Sequence, residues 1–157
     1  MFTMNKWRKF IGLSARERWL LSQSLVLLPF AAAALSVMGL RRYQRLMDRF
    51  SRAIKPDVAG DERELRDRVR KTARLVEAAR RYGPYRAKCL PESLTLWWLL
   101  RRQGIESQVK FGARKNDRRM EAHAWVEFEG VPLNDTTDVM ERFKPFEPAV
   151  LPEELKT

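Results

Sequence analysis

One cysteine, one histidine and one aspartate of this chain can together perform nucleophilic chemistry on an acyl group. Cys89 and His123 are the only residues of their types, and Asp135 follows the histidine by twelve residues. A thiolate nucleophile, an imidazole base and a carboxylate that orients the imidazole are the minimum set for thiol catalysis. The residue types alone are weak evidence, so the argument depends on the elements that position them.

Cys89 is predicted to lie at the start of a buried helix. Pro91 and Glu92 are typical of a first helical turn, and Gly104 is typical of a residue that ends a helix. The apolar residues between them cover most of the helix circumference, which predicts a central helix. The N-terminus of a helix favours a thiolate and can donate hydrogen bonds to an oxyanion. The alternative is an inert buried cysteine.

His123 and Asp135 are predicted to lie on neighbouring strands of an antiparallel sheet. Alternating apolar residues predict strands over 105–114 and 122–129, and a short third strand follows Gly130 and ends at Asp135. Both residues then lie at similar distances from the turn, and neighbouring strands are about 4.8 Å apart, so the carboxylate can reach the imidazole. The alternatives are a structural hydrogen bond for the histidine and a turn position for the aspartate.

The order of these elements resembles the transglutaminase-like (papain-related) cysteine enzymes. More narrowly, residues 82–143 resemble the leader-peptidase subunit of lasso-peptide biosynthesis. The motifs that carry the resemblance are CLPESLTLWWLLRRQGI, VKFGAR, EAHAWVEFEG and ND. The resemblance implies an α+β fold: a central helix that begins at the cysteine packs on a small antiparallel sheet, with an N-terminal helical extension. It also implies a catalytic triad of Cys89, His123 and Asp135.

This resemblance implies a hydrolase that cuts the leader from a ribosomally made precursor peptide through a thioester. It also implies a separate leader-binding protein and a lasso cyclase as partners, because the region before the linker is too small for a leader-recognition module. Two alternatives stay open: an amidase or amide-transferring enzyme of the same fold, and a non-catalytic basic adaptor that binds membranes or acidic partners. Family members often have a basic residue where this chain has Glu92, and an acid that points inward there would favour the thiol over the thiolate.

The composition is strongly basic. Lys and Arg number 31 against 20 Asp and Glu, which gives a net charge of +11 and a pI near 10.4. Such an excess predicts an acidic partner: a membrane surface, a nucleic acid or an acidic peptide. No recognisable nucleic-acid module accompanies the arginine-rich helix over 61–81, so nucleic acid is not a predicted partner. One cysteine excludes an internal disulfide, and one cysteine with one histidine excludes the usual structural zinc sites. No metal or cofactor is predicted.

Two regions are predicted along the chain. Residues 1–55 form an apolar and basic helical region, and residues 56–157 form the transglutaminase-like peptidase domain, after a linker over 55–60 that contains Pro and Gly. Ser14 and Glu17 match a capping box, so a helix is expected to begin there.

The segment from Trp19 to Leu40 carries no charge and contains Pro29. Three interpretations compete for it: a signal peptide, a transmembrane helix, and two helices broken near Pro29 that pack on the core or on a partner. The third is favoured, and membrane insertion or peripheral membrane contact stays open. Since a reactive thiol suits a reducing compartment, we predict a cytoplasmic protein whose membrane association is undecided.

Overall fold

Four helices and one antiparallel sheet make up the part of the chain that the computed structural model describes, which is residues 12–51, 61–116 and 119–146. The helices are α1 (Ala15–Ser51), α2 (Glu62–Tyr82), α3 (Cys89–Arg102) and α4 (Val139–Arg142). The strands are β1 (Gln108–Asn116), β2 (Arg119–Phe128), β3 (Val131–Pro132) and β4 (Lys144–Phe146). The sheet order is β3-β2-β1-β4, and every pair of neighbours is antiparallel. The predicted α+β class is therefore confirmed.

The first helix begins at the predicted capping box and bends at a glycine. The Ser14 N–H donates to Glu17 Oε2 at 2.7 Å, and the Glu17 N–H donates to Ser14 Oγ at 3.2 Å. The helix then continues through Pro29 and bends at Gly39, where φ is 72° and ψ is 166°. The prediction of a break near Pro29 is wrong. Glycine has no Cβ, so the chain can take a positive φ at Gly39 at low steric cost.

The segment Ala15–Tyr43 of α1 is long and apolar enough to cross a membrane, judged by length and composition. Core helices of soluble proteins and signal sequences pass the same test. This finding is therefore only a weak indication of membrane association. The predicted linker over 55–60 lies outside the described residues, and the division of the chain into 1–55 and 56–157 stays a prediction.

A hydrophobic core joins α1, α2 and α3 on one face of the sheet. The central helix is α3, whose Leu96, Leu99 and Leu100 are fully buried among Val76 of α2 and Val126 of β2. Burial of each such side chain contributes about 1.5–3 kcal/mol to folding. The prediction that the helix beginning at the cysteine is a central one is thus confirmed. This core fixes the position of the N-terminus of α3 relative to β2.

A second, smaller cluster covers the opposite face of the sheet. It consists of Trp125, Val139 and Phe143, all buried. Gly112 makes this packing possible, since a Cβ there would lie 2.9 Å from the Phe143 Cβ and 3.0 Å from Trp125 Cζ3. Such distances are shorter than packed carbon atoms tolerate, so the close approach requires glycine. The cluster holds α4 against β2, which the sequence patterns did not predict.

The third strand is shorter than predicted. It pairs with β2 only through Glu127↔Pro132 and Phe128↔Val131. Beyond it the Leu133 N–H still donates to the Val126 carbonyl at 2.8 Å, but the Val126 N–H donates to the Asn134 side-chain Oδ1, also at 2.8 Å, and not to a backbone carbonyl. Asp135 therefore lies in a loop after β3 and not within a strand.

Candidate active site

Cys89 is the first residue of α3, as predicted. Its thiol is half-buried and not part of a disulfide. The N-terminal N–H groups of a helix have no partner within the helix, and they create a positive potential at this end. The thiol sulfur accepts hydrogen bonds from the backbone N–H groups of Leu90 and Ala124. It therefore lies between the start of α3 and the strand that carries the histidine.

The structure brings Cys89, His123 and Asp135 together. His123 Nε2 is hydrogen-bonded to Asp135 Oδ2, and the His123 ring is also hydrogen-bonded to the Cys89 thiol. Because Asp135 occupies Nε2, Nδ1 is the ring nitrogen available to the sulfur. The carboxylate, the imidazole and the thiol thus form one hydrogen-bonded row. This arrangement can transfer a proton from sulfur to nitrogen and hold the resulting imidazolium.

The environment favours the charged forms of all three groups. Burial opposes ionisation of the Cys89 thiol, but the hydrogen bonds from His123 and the Ala124 N–H outweigh it, so the pKa of Cys89 lies below its ordinary value. The hydrogen bond to Cys89, assisted by the one to Asp135, raises the pKa of His123 against the effect of burial. Burial also opposes ionisation of Asp135, yet hydrogen bonds from the Thr136 N–H and His123 lower its pKa. The pair is thereby shifted towards thiolate and imidazolium.

Arg142 fixes the Asp135 carboxylate. The Arg142 Nη2 donates to Asp135 Oδ1, which also accepts the Thr136 N–H at 2.7 Å. These donors occupy Oδ1 and leave Oδ2 for His123. Arg142 forms an ion pair with Asp138 at 3.2 Å, one helical turn earlier. The sequence reasoning missed Arg142, although a four-residue Asp–Arg spacing indicates a helical turn and was available as a signal.

Aromatic rings hold the imidazole plane. The centroid of the Phe143 ring lies 4.7 Å from that of His123 at an interplanar angle of 26°, and the Trp125 ring lies 6.1 Å away at 21°. Trp125 is fully buried and donates its Nε1–H to Glu127 Oε1 at 2.7 Å. His123, Trp125 and Glu127 alternate along β2 and therefore share one of its faces. The ring cannot rotate freely, so its two nitrogens keep their partners.

A buried polar network connects the three elements that carry the site. The Ser93 hydroxyl, one turn after Cys89, donates to the Ala124 carbonyl at 3.0 Å. It also accepts the Asn134 Nδ2–H at 3.0 Å, while Asn134 Oδ1 accepts the Val126 N–H. Ser93 is completely buried and each of these polar atoms has a partner, so the network specifies one arrangement. The sequence reasoning missed Ser93 and Asn134.

Glu92 lies in the first turn of α3 and points inward. Only 7% of the residue is exposed. Its Oε1 lies 3.0 Å from Arg80 Nε on α2. Burial raises the pKa of Glu92 to about 7, although the positive charge of Arg80 acts in the opposite direction. Near neutral pH the carboxyl is therefore partly protonated, and its negative charge opposes the thiolate less than an ordinary carboxylate would.

The described ranges contain no group of three or more His, Cys, Asp or Glu side chains placed to hold a metal ion.

A helix that begins at a half-buried cysteine and packs on a small antiparallel sheet defines a transglutaminase-like α+β domain. The family model of the transglutaminase-like superfamily matches residues 25–147, and the chain belongs to this superfamily. The superfamily includes cysteine peptidases and transferases. A search of curated proteins and a search of solved structures each found no significant match.

Proposed function

We propose that the chain is a cysteine peptidase that removes the leader from a ribosomally made precursor peptide during lasso-peptide maturation. The observation that carries the peptidase part is the hydrogen-bonded row of Cys89, His123 and Asp135, with the pKa of the thiol lowered by the histidine and by backbone donors that outweigh its burial. Membership of the superfamily supports thiol chemistry of this kind. The leader-cleavage part rests on the sequence resemblance over 82–143.

The proposed reaction has two halves. His123 takes the proton of Cys89, and the thiolate attacks the carbonyl carbon of the scissile peptide bond. The Cys89 N–H at the start of α3 stabilises the negative charge that develops on the carbonyl oxygen. His123 then gives its proton to the departing amine, the C–N bond breaks and a thioester remains. A water molecule, deprotonated by His123, releases the acid and restores the thiol.

The partners follow from the same resemblance. A separate leader-binding protein holds the leader and presents the precursor to the peptidase, and a lasso cyclase takes the freed core. The chain itself is positively charged, with 31 basic against 20 acidic residues, so its contacts with a partner are expected to involve acidic groups on that partner. No cofactor takes part in this reaction.

The experiment combines the purified chain with a precursor peptide and its leader-binding protein, and mass spectrometry detects the products. A freed core with a new amino terminus and a leader with a new carboxyl terminus are expected. Cys89→Ala should reduce the rate by about a hundredfold or more, while Glu106→Gln, an exposed change beyond the end of α3 opposite to Cys89, should not alter it. Full activity without the leader-binding protein would contradict the dependence on a partner.

Two other outcomes separate the alternatives. If an added primary amine appears in the leader product in preference to water, the chain is an amide-transferring enzyme of the same fold. If Cys89→Ala preserves the cellular phenotype and charge reversal of the exposed arginines on α2 abolishes it, the chain is a basic adaptor. Either result overturns the peptidase proposal.

A further inference from the structure

The outward face of α1 carries an apolar stripe. Four large side chains, all between 55% and 85% exposed, form this outer stripe: Trp19, Val26, Phe30 and Val37. A helix makes one turn in 3.6 residues, so Trp19 and Val37 face the same direction, and the other two lie about 20° to either side. The outer stripe is therefore straight and about 27 Å long at 1.5 Å per residue. Half of the large exposed hydrophobic residues in the described part of the chain belong to it.

The opposite face of α1 is committed to the protein core. Leu28 and Ala31 are each 1% exposed, and the buried Ser24 hydroxyl donates to the Leu20 carbonyl at 2.8 Å. Ala31 packs with Leu94 of the central helix. If α1 spanned a membrane, this face would have to separate from the core, and lipid would surround the whole helix. The packing therefore favours a helix that lies on a surface, with the core on one side and the outer stripe on the other.

Basic side chains lie on both sides of the outer stripe along the sequence of α1, and those that follow it lie beyond the bend at Gly39. Exposed arginines precede it and follow it on α1: Arg16, Arg18, Arg41, Arg42, Arg45 and Arg49. The neighbouring helix α2 carries four more on its solvent face, here called the arginine row: Arg63, Arg70, Arg74 and Arg81. Their spacing is the same as in the outer stripe, so they also form a straight line. On α1 no acidic residue lies between Glu17 and Asp48.

The beginning of α1 and the basic face of α2 are neighbours. Hydrogen bonds at the Ser14 capping box are the main cause of the lowered pKa of Glu17, and the charge of Lys71 on α2 lowers it further. At the C-terminal end of α2, a Cβ on Gly83 would lie 2.7 Å from a Leu25 methyl group of α1. The two helices therefore lie side by side and run in the same direction, with Lys71 of α2 close to the start of α1.

We propose that α1 and α2 form a docking surface for an anionic lipid bilayer. The outer stripe enters the boundary between headgroups and acyl chains, and the flanking arginines and the arginine row contact the negatively charged headgroups. A second copy of the chain is a poor occupant, because two arginine-rich faces would repel each other. In this orientation α1 lies in the membrane plane. The sheet and the candidate active site stay joined to α1 through α3, which packs on both. The inference does not depend on the proposed peptidase activity.

Vesicle co-sedimentation of the full chain tests this inference. Vesicles of phosphatidylcholine alone are compared with vesicles that contain equal amounts of phosphatidylglycerol and phosphatidylcholine. We expect at least tenfold stronger partition into the anionic vesicles, and a steep loss of binding as salt is raised from 50 to 500 mM, which screens exposed charges. The triple variant Val26→Ser/Phe30→Ser/Val37→Ser should bind at least tenfold more weakly.

The matched control changes two hydrophobic residues of similar exposure outside the outer stripe. Met120→Ser/Val131→Ser should bind vesicles within twofold of the unchanged chain. Replacement of the arginine row by Gln should weaken binding to anionic vesicles only. Thermal unfolding and the alkylation rate of Cys89 verify that each variant is folded, so loss of binding is not loss of structure.

Three results overturn the inference. Equal binding of the triple variant and the unchanged chain would show that the outer stripe does not contact lipid. Bound protein that resists extraction at alkaline pH would show a spanning helix. A dimer seen by light scattering that the triple variant abolishes, together with no vesicle binding, would show that a second copy covers the outer stripe.

Discussion

Replacing Glu92 by Gln is expected to change how the free energy of unfolding depends on pH. The carboxyl is buried in the first turn of α3, three residues after Cys89, and its only described ion pair is with Arg80 at 3.0 Å. Gln has nearly the same shape but does not ionise. The variant therefore removes one titrating group, the Glu92 carboxyl, and leaves the packing of α3 on α2 largely unchanged.

The size of the effect follows from the two pKa values of Glu92. Burial raises the pKa from an ordinary 4.5 to about 7 in the folded chain. The folded state therefore holds this proton more tightly than the unfolded state. The stability that the proton provides is fully present below pH 4.5 and is lost as the pH rises through 7. One pKa unit corresponds to about 1.4 kcal/mol. Ionisation of Glu92 is therefore expected to lower the free energy of unfolding by about 3 kcal/mol at pH 8 relative to pH 4.

Urea unfolding followed by tryptophan fluorescence measures this difference between pH 4 and pH 8.5. The free energy of unfolding of Glu92→Gln minus that of the unchanged chain should rise by about 3 kcal/mol across this range, because the other carboxyl groups cancel in the comparison. Arg80→Met removes the compensating charge and should destabilise the chain most above pH 7. Glu64→Gln on the exposed start of α2 is the matched control. A constant difference for Glu92→Gln at every pH would refute the reasoning.

Three further predictions concern the candidate site. Alkylation of Cys89 by iodoacetamide should reach half of its maximal rate at a lower pH than an ordinary thiol does, because the pKa of Cys89 is lowered, and His123→Ala should move this midpoint upward, because the histidine stabilises the thiolate; an unchanged midpoint would contradict this. If the proposed peptidase reaction takes place, Arg142→Met should lower its kcat about tenfold and Arg142→Lys should restore part of it, since the arginine orients Asp135 through Oδ1; equal rates for both variants would contradict an orienting role. Gly112→Ala should destabilise the fold by about 1–3 kcal/mol, measured by urea unfolding, because its Cβ collides with two aromatic residues; an unchanged midpoint would contradict the close approach.

The start of α1 and the extent of α3 could be predicted because they depend on residues that are close together in the sequence. Pro91 and Gly104 predicted the extent of α3 and thereby the position of Cys89. Ser14 and Glu17 predicted the start of α1, because both capping hydrogen bonds join residues three apart. These contacts need no knowledge of the rest of the fold.

Tertiary contacts explain what the sequence did not predict. Ser93 and Asn134 are 41 residues apart and meet only when α3 packs on β2. The same Asn134 side chain accepts the Val126 N–H after β3, in place of a backbone carbonyl. Because Pro29 lacks an N–H, α1 was expected to break there, but the packing of this helix on α2 and α3 maintains it. The bend occurs at Gly39, where a positive φ has a low steric cost. No local pattern distinguishes these two outcomes.

The bend at Gly39 also limits the overall dimensions of the molecule. A straight helix of 37 residues would measure about 55 Å, whereas a compact chain of 157 residues has a radius of gyration of about 15 Å. An unbent α1 would therefore extend beyond the rest of the protein. Turning at Gly39 lets the last third of the helix return to the body of the protein, where Tyr43 is 3% exposed. A Cβ at this position meets no neighbour within 4 Å, so the penalty for any other residue would come from backbone torsion alone.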